Sequence, residues 1–174
     1  MADAPATSER SEPSVADLMR GDVPTLQRGD SVARVARLIA DADVPGLAVV
    51  EDGVVVGIVT ESDLITRQAD FTSPGVISVL DAVFTTDAGW DYDDEVRRAL
   101  ALTAEDLMTH PVYSIRARAT LGEVATLMHQ RRVNPVPVVD DAGLLVGLVS
   151  RSDLVRVIAR LEGTDEIGGG EGAL

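Results

Sequence analysis

No cysteine and no lysine occur anywhere in this chain, and only 3% of its 174 residues are aromatic. The missing cysteines exclude disulfides, thiolate metal sites and thiol nucleophiles. Every basic side chain is therefore arginine, 15 in all against 29 acids, for a formal charge of −14. Arginine suits bidentate phosphate contacts, although a G- and C-rich coding bias gives the same composition. The excess of negative charge repels polyanions at long range, which argues against nucleic-acid and anionic-membrane partners. Long apolar runs are lacking too: none approaches the roughly 20 residues of a membrane span. Met1 to Pro13 is polar and acidic, without the apolar stretch of a secretory signal. A soluble, cytoplasmic protein is expected. With so few aromatics, the 45% hydrophobic content must build its core from Val, Leu, Ile and Ala. That favours β-branched strands packed on helices.

What the chain does have is repetition. Val54-Val55-Val56-Gly57-Ile58-Val59-Thr60-Glu61-Ser62-Asp63-Leu64 returns as Leu144-Leu145-Val146-Gly147-Leu148-Val149-Ser150-Arg151-Ser152-Asp153-Leu154. Upstream, Asp17-Leu18-Met19 returns as Asp106-Leu107-Met108. The offset is 89 residues at Asp17 and 90 at Gly57, so one inserted residue near Ala142 explains the change. A unit of this size repeated once points to two copies of a small domain rather than a solenoid. Such copies can pack about a pseudo-twofold axis and form two related clefts.

The expected order in each copy is strand, helix, strand, strand, helix, preceded by a short helical lead-in at 15–19 and 104–108. Extended segments at Val23–Leu26 and Val112–Ile115 lead into amphipathic helices. Their apolar positions, Val32, Val35, Ala36 and Ile39, then Leu121, Val124, Ala125 and Met128, follow i, i+3, i+4, i+7 spacing. Asp30-Ser31 and Thr120 are the expected N-caps. Acid–Gly turns at 51–53 and 140–143 predict hairpins, and Thr60 and Ser150 open the last helices. In the second copy the apolar face of that helix is Leu154, Val157, Ile158 and Leu161. The boundaries are a disordered tail at 1–14, repeat one at 15–67, a helical insert at 68–102, repeat two at 103–162, and a second tail at 163–174.

Chemistry is sought at Thr60 with Asp63 and at Ser150 with Asp153. A carboxylate at a helix start can accept both hydroxyls of a ribose, as acids do in dinucleotide folds. The free N–H groups there favour phosphate. The same atoms also make a helix cap, and the two roles can coexist. Arg132 and Arg151 cluster near the second motif, where the first copy has Glu61. Residues 104–160 carry net +1 and residues 15–67 net −4. The expectation is that the Asp153 cleft takes a charged nucleotide, while the Asp63 cleft is empty or takes a less anionic ligand. Other chemistry is not supported. His110 and His129 lack ligand spacing, and Asp91 to Glu95 lacks the glycine of a calcium loop. Trp90 and Tyr92 read as core or interface. No phosphate-binding loop, nucleophile elbow or zinc-protease motif is present, so no catalytic residue, metal or enzymatic activity is expected.

The element order, with Gly-h-h-[Thr/Ser]-x-x-Asp after a strand pair (h, apolar), resembles the CBS domain, and the tandem resembles a CBS pair, or Bateman module. The second copy has the typical Pro-Val-Val-Asp at 137–140, where the first reads Ala48-Val49-Val50-Glu51. The resemblance implies an α/β (α+β) fold of two β-α-β-β-α repeats packed as a pseudo-twofold pair. It implies that Asp63 and Asp153 bind ribose and that Thr60 and Ser150 contact the nucleotide. Thr25 and Ser114 would line the adenine side, with apolar walls from Val49 and Val138. The implied function is a stand-alone regulatory module binding AMP, ADP or ATP, with S-adenosylmethionine or NAD as further possibilities. It would act as a homodimer on an unknown effector protein. The rival reading is a structural dimerisation or scaffold module without ligand.

Overall fold

The structure, a computed structural model, describes residues 13–72 and 101–165, with side chains placed for 13–68 and 101–162. The helices expected at 76–83 and from Asp91 fall outside the described residues, apart from Ala101 and Leu102, which are non-helical. So do Trp90, Tyr92, the acidic run at 91–95 and nearly all of both tails.

A hydroxyl side chain stands immediately before each helix of the pair. Ser14 precedes α1 (Val15–Leu18), and Asp17 answers it in a reciprocal capping box. Ser31 caps α2 (Val32–Ala42), accepting from the Arg34 N–H at 3.4 Å. After β1 (Gly46–Glu51) and β2 (Val54–Thr60), Thr60 leads into α3 (Glu61–Thr72), which runs past the boundary expected at 67. The second copy repeats the pattern. Thr103 and Asp106 cap α4 (Ala104–Leu107), and Thr120 and Glu123 cap α5 (Leu121–Arg131). Ser150 precedes α6 (Arg151–Asp165). Both long central helices stop on a residue in the left-handed region, Asp43 at φ 51° and Arg132 at φ 55°.

The hairpins form where expected. In the first, Asp52 (φ 49°) and Gly53 (φ 81°) both take the left-handed conformation that matches the strand twist. Gly46 to Glu51 then pairs with Thr60 to Val54. In the second, β4 (Val136–Val139) pairs antiparallel with β5 (Leu145–Val149), and the bulge lies at the matching place, Val138/Val139 against Val49/Val50. A third strand, β3 (Ile115–Arg116), runs parallel to β4. Its counterpart in the first copy shrinks to one bridge, in which Leu26 donates to the Ala48 carbonyl and accepts from the Val50 N–H, each at 2.9 Å. Pro24 just upstream has no N–H to extend the pairing, and just downstream the Gln27 N–H turns to the Asp30 carboxylate.

Repeat order in the sequence and packing in space differ at the lead-in helices. Val15 and Leu18, at the head of repeat one, are buried with Val124, Met128, Val136, Val149 and Leu154 of repeat two. Ala104, Leu107 and Met108, at the head of repeat two, are buried with Val35, Ile39, Leu47 and Val59 of repeat one. Backbone bonds fix the exchange: the Val15 N–H reaches Ala119 O at 2.7 Å, and the Ala104 N–H reaches Asp30 O at 2.8 Å. Full burial of a leucine such as Leu107 is worth roughly 1.5–3 kcal/mol, so each core depends on a helix lent by the other. The chains leaving these helices lie on the opposite hairpin. Arg20 exchanges two backbone bonds with Leu148 (2.8 and 3.0 Å), and Thr109 exchanges two with Ile58 (2.9 and 3.2 Å). This reciprocity is the pseudo-twofold relation. The hairpin tips also meet, the Leu145 N–H donating to Gly53 O at 2.9 Å.

Candidate functional site

The turn from β2 into α3 places the Thr60–Asp63 pair, and the turn from β5 into α6 places Ser150–Asp153. In the first, Asp63 Oδ2 accepts from the Thr60 N–H (2.8 Å) and the Thr60 hydroxyl (2.7 Å). In the second, Asp153 Oδ2 accepts from the Ser150 N–H (2.9 Å) and the Ser150 hydroxyl (2.5 Å). The capping reading therefore holds at both sites. A carboxylate offers about four lone-pair positions, so the capping role uses one oxygen and leaves the other for a ligand.

That second oxygen distinguishes the two sites. Asp63 is partly exposed, and its Oδ1 has no protein partner among the described residues. Asp153 is 5% exposed, and its Oδ1 faces Arg156 Nη1 at 2.9 Å and Arg20 Nε at 3.4 Å. The same Arg20 donates from Nη1 to the Asp43 carbonyl at 3.1 Å. Arg20 thus joins the left-handed end of α2 in repeat one to the carboxylate at the start of α6 in repeat two.

The other expected site residues are distributed as follows. Thr25 is exposed and lines a cleft of about 100 Å³ together with Gly21, Pro24, Val146, Gly147 and Leu148, so it lies across the repeat boundary against β5. Ser114 is exposed in an open groove with Arg116, Arg118 and Glu123. Val49 and Val138 are 0% exposed; they are pillars of the two cores and present no surface as cleft walls. Arg132 and Arg151 are exposed, and their side chains form no ion pair among the described residues. The Arg151 N–H is held by Asn134 Oδ1 at 2.9 Å. Arg131 lies 5.0 Å from the centroid of the Tyr113 ring. Among the described residues no group of His, Asp and Glu could hold a metal ion, and no helix is long and apolar enough to cross a membrane.

Residues 15–70 and 104–160 match the CBS domain family. The chain belongs to the CBS-domain family. It is 28% identical over 152 residues to the Methanocaldococcus jannaschii protein MJ1426, covering 83% of this chain and 90% of that one. It is 26% identical to the chloroplastic CBS domain-containing protein CBSX2 of Arabidopsis thaliana, over 86% of this chain and 65% of the relative. A crystal structure of CBSX2 in complex with AMP superimposes with a TM-score of 0.69 at 25% identity, over 86% of this chain and 98% of that one. Matched relatives also include enzymes, but the chain spans only 21% of the inosine-5′-monophosphate dehydrogenase of Thermoplasma acidophilum.

The pseudo-twofold of the CBS pair assigns the remaining neighbours. Arg20 at the Asp153 site has Thr109 as its counterpart at the Asp63 site, and Asp43 has Arg132. Arg132, expected near Asp153, stands at the left-handed end of α5, two residues before Asn134, whose Oδ1 holds the Arg151 N–H. Arg156 has Thr66 as its counterpart, and the neighbouring Arg67 donates from Nε to the Ala101 carbonyl at 3.0 Å. Arg20 is the residue that the sequence reading missed. It follows Asp-Leu-Met directly, in a segment matched only as scaffold, and its alignment with Thr109 is the signal that could have found it.

Proposed function

We propose that this CBS pair is a regulatory module that binds an adenosine-containing ligand of the AMP, ADP or ATP class between its repeats. It is a binding module and not an enzyme, so ATP hydrolysis by the purified chain would refute it. The observation that carries the proposal is the Asp63 carboxylate: positioned by its cap, partly exposed, and with one oxygen unclaimed among the described residues. That oxygen can accept ribose hydroxyls. The dipole of α3 favours an anion at its N-terminus, and the exposed Arg132 supplies a guanidinium for phosphate in this reading. The AMP complex of CBSX2 supports the choice of ligand class. A ligand touching both repeats would favour one relative orientation of them, and a partner would read that orientation.

The homodimer is part of the proposal. Along α6, Leu154 is buried but Val155, Ile158 and Leu161 are 63, 45 and 40% exposed, as is Ile65 of α3 at 67%. The outer part of the apolar face expected on α6 is thus left for another surface, and a second copy covers it in this reading. Multi-angle light scattering would show a dimer, and Ile158→Asp would shift it toward monomer.

Thermal shift with AMP, ADP, ATP, S-adenosylmethionine and NAD tests the ligand. A ligand at 100 times its Kd adds about 2.7 kcal/mol to native stability, or about 5–10 °C at roughly 2–4 °C per kcal/mol for a chain of this size. No shift with any of the five would leave the scaffold reading in its place.

A further inference from the structure

The two clefts of the pair are not equivalent, and the difference lies in a residue outside the repeated motif. Resting on the nucleotide-binding reading above, we propose that Arg20 closes the Asp153 cleft from within. The chain then carries one open nucleotide site, at Asp63, and one site occupied by its own guanidinium.

Three observations converge on Arg20. Its backbone is fixed on β5 by the two bonds to Leu148, so the side chain starts next to the Asp153 turn. Its guanidinium is held at both ends, Nε on Asp153 Oδ1 and Nη1 on the Asp43 carbonyl. The lone pairs of Asp153 are all engaged: the Ser150 N–H and hydroxyl take Oδ2, and Arg20 and Arg156 take Oδ1. A ribose would have to donate to that same Oδ1. Displacing Arg20 would exchange a charged donor for a neutral hydroxyl at a carboxylate of 6% side-chain exposure, and a nearly buried charge resists that loss of its counterion.

The Asp63 cleft lacks each part of this closure. Thr109 and Thr66 stand where Arg20 and Arg156 do, and neither bears a charge. Thr109 keeps the two backbone bonds to the facing strand, which shows that the strand pairing itself does not need arginine. Sequence reading placed the anionic ligand at Asp153 because arginines cluster there. Two arginines do face Asp153, but their charge is spent on the carboxylate.

Arg20→Thr reproduces the Thr109 arrangement, with Arg20→Ala as a second variant, and isothermal titration with AMP counts the sites. The wild-type chain binds one AMP per chain, Asp63→Asn binds none, Arg20→Thr binds two, and Arg20→Thr with Asp63→Asn regains one. Two sites in the wild type, or a site count unchanged by both Arg20 variants, overturns the closure while leaving nucleotide binding in place. Loss of a site in the Arg20 variants would make Arg20 a phosphate ligand and overturns it equally. No AMP bound by any variant overturns the nucleotide reading, and this inference with it.

Discussion

Adding a single methyl group at Gly147 tests how the two repeats are joined. A Cβ there would lie 2.7 Å from the Arg20 carbonyl oxygen, 3.0 Å from Met19 Sδ and 3.2 Å from the Arg20 carbonyl carbon. The nearest obstacle is backbone, so no side-chain rotation relieves it. Either the strand at Arg20 moves off β5 or β5 bends. Overpacking of this kind costs about 1–3 kcal/mol. Retreat of the strand also weakens two backbone hydrogen bonds to Leu148, worth about 1 kcal/mol each. Gly147→Ala should therefore cost about 2–5 kcal/mol, a fall in melting temperature of at least about 4 °C at roughly 2–4 °C per kcal/mol. Gly29→Ala is the control: its Cβ would meet nothing within 4 Å, and it should stay within about 2 °C of wild type. Differential scanning calorimetry on the three proteins reads the result. A Gly147→Ala melting temperature within 2 °C of the wild type would refute the close approach, and with it the placement of Arg20 beside Asp153.

Further outcomes follow from the same packing. Leu107→Ala should cost about 2–5 kcal/mol; in denaturant melts it should be non-additive with Val35→Ala, in the same core, and additive with Val124→Ala, in the other. The Ser14 hydroxyl and N–H hold the Asp17 carboxyl below its ordinary value. A carboxylate lowered by folding stabilises above its unfolded pKa and loses that contribution as pH falls through the folded one. The stability gap between wild type and Asp17→Asn should therefore be constant above about pH 5 and shrink below about pH 4; a gap independent of pH would refute it. Arg28 bridges Glu51 of repeat one and Glu105 of repeat two at 2.9 and 3.0 Å, all three side chains being at least a third exposed. Arg28→Ala should cost at most about 1 kcal/mol in urea melts, and less in 1 M salt.

The fold was legible because its determinants are local. Ser31 and Thr120 as caps, Asp52-Gly53 as a turn and the spacing of Val35 and Ile39 each act within a few residues, and each stands where sequence periodicity put it. The lead-in helices were legible as helices but not by their partners. Val15 and Leu107 are apolar in either copy, and nothing in a repeated sequence says which copy supplies the facing surface. The same limit applied to the candidate site. The Thr60–Asp63 and Ser150–Asp153 pairs were visible as motifs, and the structure confirms them as caps. The neighbours of each carboxylate come from distant segments: Arg20 lies far upstream of Asp153 in the chain and reaches it only through the exchanged lead-in. Val49 and Val138 came from the family resemblance and from no pattern in the chain itself, and the burial of β1 and β4 hides their side chains.

The exchanged helices make each repeat an incomplete object. A chain cut between residues 72 and 101 would leave Val35, Ile39 and Leu47 facing solvent where Leu107 now sits, while Val15 and Leu18 would protrude without a cavity to fill. Such a half would find its complement in a second copy of itself, each lending its lead-in to the other, and a symmetric dimer of halves would rebuild the pair. Duplication of a gene for such a half, followed by divergence at positions such as 20 and 109, would convert two identical clefts into two with different occupants without altering the scaffold.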